Sequence, residues 1–222
     1  MVEIDLSGAV AGRVANQDVT ALMIANQIVW EASTADGPYY LNDALLVTPT
    51  AYTDGTPNIV TGHSMIFAVA GFVTGIRWYD GASGAGSWIF SAWSAETTNG
   101  STPNAGASSR LATKSSSSTG GGYRDVIFDT PVAVDVDQVY VFSKYNAAGH
   151  YTHSPSFIGP HGALTPSDPV YMPGENENIS SVVPGWTAIQ SSLFTIGGGD
   201  VIPVSSGSGP YYGLTPIFFK SL

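Results

Sequence analysis

The chain has 222 residues, no cysteine, and a formal charge of −10 from seven basic and seventeen acidic side chains. That balance excludes a phosphate-neutralising surface for nucleic acid or anionic membrane, and the missing cysteines exclude a disulfide framework or a thiolate zinc site. Apolar residues reach 43% while charged ones are only 11%, so a core is available and the surface must be built from Ser, Thr, Asn and Gly.

The first thirty residues carry a short repeat. Val14-Ala15-Asn16-Gln17-Asp18-Val19 returns ten residues later as Ile24-Ala25-Asn26-Gln27-Ile28-Val29. Ala-Asn-Gln between β-branched residues reads as a turn between strands, which predicts a hairpin from Val19–Ile24 and Ile28–Glu31. Two uses fit it: covering an edge of its own sandwich, or docking to another subunit through Val19, Leu22, Ile24, Ile28 and Trp30. The N-terminus lacks the basic and apolar regions of a secretory signal.

Asp36-Gly37-Pro38 reads as a loop, and residues 36–222 as one large domain. Strands are predicted at Leu45–Thr48, Ile59–Val69, Phe72–Asp80, Trp88–Ser94, Arg110–Thr113, Tyr123–Phe128, Val132–Val136, Val139–Tyr145, Ser192–Ile196 and Tyr211–Phe219. Alternation places Ile76 and Trp78 on one face with Arg77 and Tyr79 opposite. Helical periodicity is absent. The expected fold is all-β, a jelly-roll-like antiparallel β-sandwich with a short N-terminal hairpin arm. Residues 99–109 and 115–122 have loop composition. Residues 150–184 are Pro-rich and irregular, and a stretch of that length is either functional or held down by neighbours.

Chemistry-bearing residues are sparse. His150, His153 and His161 converge on zinc only if they lie in a loop; exposed loop histidines are the plainer reading. Asp125, Asp129, Asp135, Asp137, Glu175 and Glu177 offer oxygens for a structural calcium ion, or a solvated acidic edge. No nucleophile elbow is present, so no catalytic residue is assigned and an enzyme is not expected. Trp78 reads as core. Trp88 and Trp93 share a strand at odd separation, so one should face in and the other out. Trp186, after Pro184-Gly185, is the best exposed sugar-stacking candidate, with Trp93 and Tyr151 beside it. Arg77 is expected to bond a carboxylate such as Asp80 or Asp125.

Two resemblances rest on these residues. The stretch Gly71-Phe72-Val73-Thr74-Gly75-Ile76-Arg77-Trp78-Tyr79, with Trp93-Ser94, Phe128-Asp129-Thr130-Pro131-Val132, Tyr140-Val141-Phe142-Ser143-Lys144-Tyr145 and the closing Pro210–Phe219 strand, resembles a jelly-roll-like domain of unknown function in bacterial surface and carbohydrate-active proteins. It implies a sandwich with no established activity; residues 150–184 are longer and richer in proline than that pattern. Separately, the stretch from Asp18 to Trp30 resembles a repeat of minor tail proteins in phages infecting actinobacteria. Together they imply a non-enzymatic virion protein at the tail or tail tip, assembled in host cytoplasm, released by lysis, contacting other virion proteins and host surface glycan, and forming a homo-oligomer. Capsid decoration and a non-catalytic carbohydrate-binding module are the alternatives.

Overall fold

The computed structural model describes residues 35–41, 48–53, 57–81, 86–118, 120–154, 160–206, 210 and 212–221, together with the strands of the first 31 residues. The chain divides into two compact units, 1–36 with Leu222, and 37–221. In the first unit, β1 (Arg13–Val14) pairs antiparallel with β2 (Gln17–Asp18), and β3 (Ala21–Ile24) with β4 (Gln27–Glu31). Val14 lies opposite Gln17, and Ile24 opposite Gln27. Both copies of the repeat therefore make the same hairpin closure. Leu22 sits opposite Trp30, and Ile28 opposite Met23; Val19 lies outside the described residues.

The second unit is an antiparallel β-sandwich with no helix among the described residues. Its strands are β5 (Ala35–Tyr39), β6 (Thr50–Thr53), β7 (Ile59–Phe67), β8 (Gly71–Tyr79), β9 (Ser87–Ala95), β10 (Ser109–Ser117), β11 (Tyr123–Val134), β12 (Val139–Asn146), β13 (His150–His153), β14 (Val170–Tyr171), β15 (Ser192–Ile196), β16 (Ser205–Ser206) and β17 (Leu214–Ser221). The small sheet has the order β11-β8-β17-β5. The large sheet has the order β10-β9-β12-β7-β15-β16, with β14 also on β7. A separate ribbon joins β13 to β6.

Two apolar cores result. The first lies between the sheets: Val73, Ile76, Trp78, Val126, Leu214 and Phe218 of the small sheet meet Met65, Phe67, Trp88, Phe90, Tyr140 and Phe142 of the large one. The second lies on the other side of the large sheet. There Ile66, Trp93, Val139, Val141 and Leu193 are covered by Ile179 and Val183 of the irregular segment, by Trp186 and Ile189 just after it, and by Ile202 between β15 and β16. This explains why β7 is buried at every position: it is packed on both faces, as interior strands are.

Several expectations change. Asp36-Gly37-Pro38 is part of strand β5, not a loop; β5 is an edge strand, where proline is tolerated. The serine run after Thr113 extends β10 to Ser117, because β9 supplies its hydrogen bonds. Tyr123–Phe128 and Val132–Val136 merge into β11, with a register shift between Ile127 and Val132. Residues 99–109 are pinned: Asn99 Oδ1 accepts the Ser101 and Thr102 amides, and Gly100 O accepts those of Thr187 and Ala188. Of the predicted strand Leu45–Thr48, residues 45–47 lie outside the described residues.

Candidate functional site

The exposed face of the small sheet gathers the most interactive side chains. Alternation along β8 sends Ile76 and Trp78 inward and leaves Arg77 and Tyr79 on the outer face, and the register shift between Val73 and Gly75 turns Val73 inward as well. Cross-strand pairing then sets Tyr123 beside Tyr79, Asp125 beside Arg77, and Ile127 beside Gly75. The three pairs form a strip about 13 Å long at the rise of a strand.

Each pair presents different chemistry. Tyr79 and Tyr123 meet edge to face with centroids 5.3 Å apart, both half-buried. Arg77 grips Asp125 with two parallel bonds, Nε to Oδ1 at 2.6 Å and Nη2 to Oδ2 at 2.8 Å, the planar fork that suits a carboxylate. That bond raises the Arg77 pKa above its ordinary value. The guanidinium also lies 4.3 Å from the centroid of the Tyr40 ring. At Gly75 a Cβ would fall 2.3 Å from the Val126 carbonyl oxygen, so any side chain here would force the paired strands to shift. Ile127 opposite it is 53% exposed. The strip thus runs from aromatic, through a polar fork, to apolar.

Of the side chains singled out in the sequence, Arg77 pairs with Asp125 as expected, and Trp78 is fully buried. Trp186 and Trp93 are not exposed platforms. Trp186 is 3% exposed and Trp93 6%, because residues 179–189 fold back over the outer face of the large sheet. Trp93 Nε1 donates to Ser143 Oγ at 2.9 Å, and Arg110 covers its ring. Both tryptophans of β9 are therefore inside, in different cores. Tyr151 is half-buried, stacked on His153 at 5.6 Å and edge-on to Tyr212. Tyr40 and Tyr123 were missed. The outer-face position of Tyr79 was legible from alternation, but its pairing with Tyr123 depends on a register that only the folded sheet supplies.

Three of the acidic side chains singled out in the sequence are occupied by structural bonds. Asp129 pairs with Lys114. Glu175 accepts the Ser191 hydroxyl and the Ser192 amide, and Glu177 accepts the Tyr171 hydroxyl and the Gly174 amide. No group of three or more His, Asp or Glu side chains converges on a metal position among the described residues. His63 is fully buried; its Nε2 accepts the Tyr212 amide, so Nδ1 holds the proton and faces the Ser191 carbonyl. Burial lowers its pKa to about 3, so it is a neutral structural base. Lys144 is also fully buried, between Trp78 and Trp88. Its ammonium donates to Thr152 Oγ1 and to the Tyr212 carbonyl, and burial lowers its pKa to about 7.

No curated protein matches the chain in sequence. Two of the solved structures to which the chain is similar are of one clostridial protein. One is a clostridial cysteine protease, Cwp84, after propeptide cleavage, at 10% identity over 78% of this chain and 38% of that one, with a TM-score of 0.39. The other holds the cysteine protease and lectin-like domains of Cwp84, a surface layer associated protein of Clostridium difficile, at 10% identity, 78% and 36% coverage, and a TM-score of 0.37. The chain thus spans little more than a third of either structure. Residues 46–179, from before β6 into the segment that seals the second core, match the family described as a domain of unknown function, DUF4082, and the chain belongs to that family.

Proposed function

We propose that the chain is a non-catalytic attachment module whose sandwich binds glycan on the outer face of the small sheet. The observation that carries this is the strip Tyr79/Tyr123, Arg77/Asp125, Ile127/Gly75 with Tyr40 over the fork. Aromatic rings suit the C–H faces of a sugar, and a fixed guanidinium–carboxylate pair suits its hydroxyls. Rigidity favours the role: the strip sits on paired strands, so little order must be gained on binding.

The N-terminal unit is the joint to a larger assembly in this reading. Two-stranded hairpins of this size are marginal alone in water, and Val19, Leu22, Ile24, Ile28 and Trp30 are the residues assigned to docking. The assembly is a phage virion, with the protein at the tail or tail tip; that address rests on the likeness of residues 18–30 alone. Such a position implies contact with other virion proteins, a homo-oligomer and release by lysis. A capsid-decorating protein or a free carbohydrate-binding module would use the same face.

A glycan array probed with the full chain tests the binding reading. Binding that disappears in Tyr79→Ala/Tyr123→Ala supports it, and an empty array refutes it. Locating the protein on purified particles by immunogold labelling tests the address.

A further inference from the structure

Building on the proposed glycan face, we infer that the glycan it accepts is uncharged, and that anionic wall polymers are excluded by the way the chain uses its cations. The chain has seven basic side chains. Six of them lie in the sandwich, and each is already engaged.

Arg77 is spent on Asp125, and Arg124 on the fully buried Asp80 at 3.2 Å. Arg110 reaches both the carboxylate and the carbonyl of Asp200, and lies over Trp93. Lys114 holds Asp129. Lys144 is sealed in the core between two indoles. Lys220 donates to the Pro166 carbonyl at 3.3 Å and lies over the Tyr39 ring. The seventh, Arg13, is on β1 in the other unit.

An anionic ligand approaching the strip would therefore meet no unspent positive charge of the sandwich itself, within a molecule of net charge −10. It would have to displace a paired carboxylate, and at Arg77 that carboxylate is held by two bonds of 2.6 and 2.8 Å. Like-charge approach is disfavoured at low salt in particular, where screening is least. What the strip does offer is uncharged: two tyrosine rings, the Ile127 side chain, and hydrogen-bonding groups of a neutralised fork. A chain of neutral pyranose rings fits that chemistry, whereas a uronate, a sulfated sugar or a phosphate-linked polymer does not.

The test is calorimetric titration of the full chain with cellohexaose, maltohexaose and chitohexaose as neutral probes. Hexagalacturonate and a heparin hexasaccharide serve as anionic ones. Each is measured at about 20 mM and about 500 mM sodium chloride, which brackets the screening range. At least one neutral probe should bind with a Kd that changes less than about twofold between the two salts. It should weaken tenfold or more in Tyr79→Ala/Tyr123→Ala, checked for native fluorescence. Asp125→Asn, which unpairs Arg77, should gain salt-sensitive binding of hexagalacturonate. Binding of anionic probes alone by the unmodified chain would overturn this inference and leave the glycan proposal standing. Binding of no probe would overturn both. An Asp125→Asn variant that still rejects hexagalacturonate would show that ion pairing is not what excludes anions.

Discussion

Lys144 gives the sharpest prediction. Its ammonium is enclosed by Trp78 and Trp88, with one hydroxyl and one carbonyl as acceptors. Removal from water lowers its pKa from 10.5 to about 7. A base with a depressed native pKa binds fewer protons folded than unfolded between those two values, so stability rises with pH across that window. Below pH 7 the penalty for holding the charged form is fully present; above 7 it is progressively relieved. From pH 7 to 9 the gain is about 2 kcal/mol, since one pK unit is worth about 1.4 kcal/mol and the slope is halved at the native pKa. For a domain of this size that raises Tm by roughly 5 °C. The absence of cysteine leaves this interval uncluttered, and stopping at pH 9 avoids tyrosine ionisation in the unfolded chain. Urea unfolding followed by tryptophan fluorescence at pH 7, 8 and 9 reads the effect directly, because Trp78 and Trp88 flank the amine. Lys144→Met should abolish the slope whatever it does to stability at pH 7, where replacing a buried charge by an apolar group is often neutral or favourable. Parallel pH profiles for the two proteins would refute the argument.

Other perturbations follow from the same structure. His63, neutral in the fold with its pKa lowered to about 3, must charge on unfolding in acid, so stability should fall as pH drops from about 6.5 towards 3; a flat urea midpoint over that range would contradict it. Trp186→Ala should cost about 3–5 kcal/mol by opening the second core, while leaving glycan affinity per folded molecule unchanged; loss of affinity in a natively folded variant would return Trp186 to the binding site. Gly75→Ala drives a methyl group against the Val126 carbonyl and should lower stability by about 1–3 kcal/mol in chemical denaturation. Arg77→Ala removes a half-exposed pair and should change stability by less than about 1 kcal/mol, yet weaken binding of whichever glycan the array identifies.

Much of the sandwich could be read from the chain because its strands alternate. Ile76 and Trp78 fall on one side of β8 with Arg77 and Tyr79 on the other, as the period of two demands, whereas Val73 joins the inner side only through the register shift between Val73 and Gly75. Where both faces are covered the signal vanishes. β7 is buried throughout, although its Thr61-Gly62-His63-Ser64 centre looks polar, and nothing local announces that a proline-rich stretch will return to cover it. The same omission misplaced Trp93 and Trp186: burial by a distant irregular segment has no periodicity. Lys144 was recoverable in principle, since Tyr140, Phe142 and Lys144 alternate onto one face of β12; polarity alone argued against a core position. The strip on the small sheet was half legible. Arg77 and its carboxylate partner were expected, whereas Tyr123 joins Tyr79 only through the β8–β11 register.

The position of β17 has a consequence for how the protein forms. It lies between β8 and β5, although those two precede it in sequence by more than a hundred residues. During synthesis the ribosome must deliver nearly the whole sandwich before its smaller wall can be bridged. Until then the Phe67 ring lacks its Phe218 partner in the first core, and such distant pairings close slowly. The nascent chain should therefore remain protease-sensitive until this late strand emerges, then become resistant in a single step.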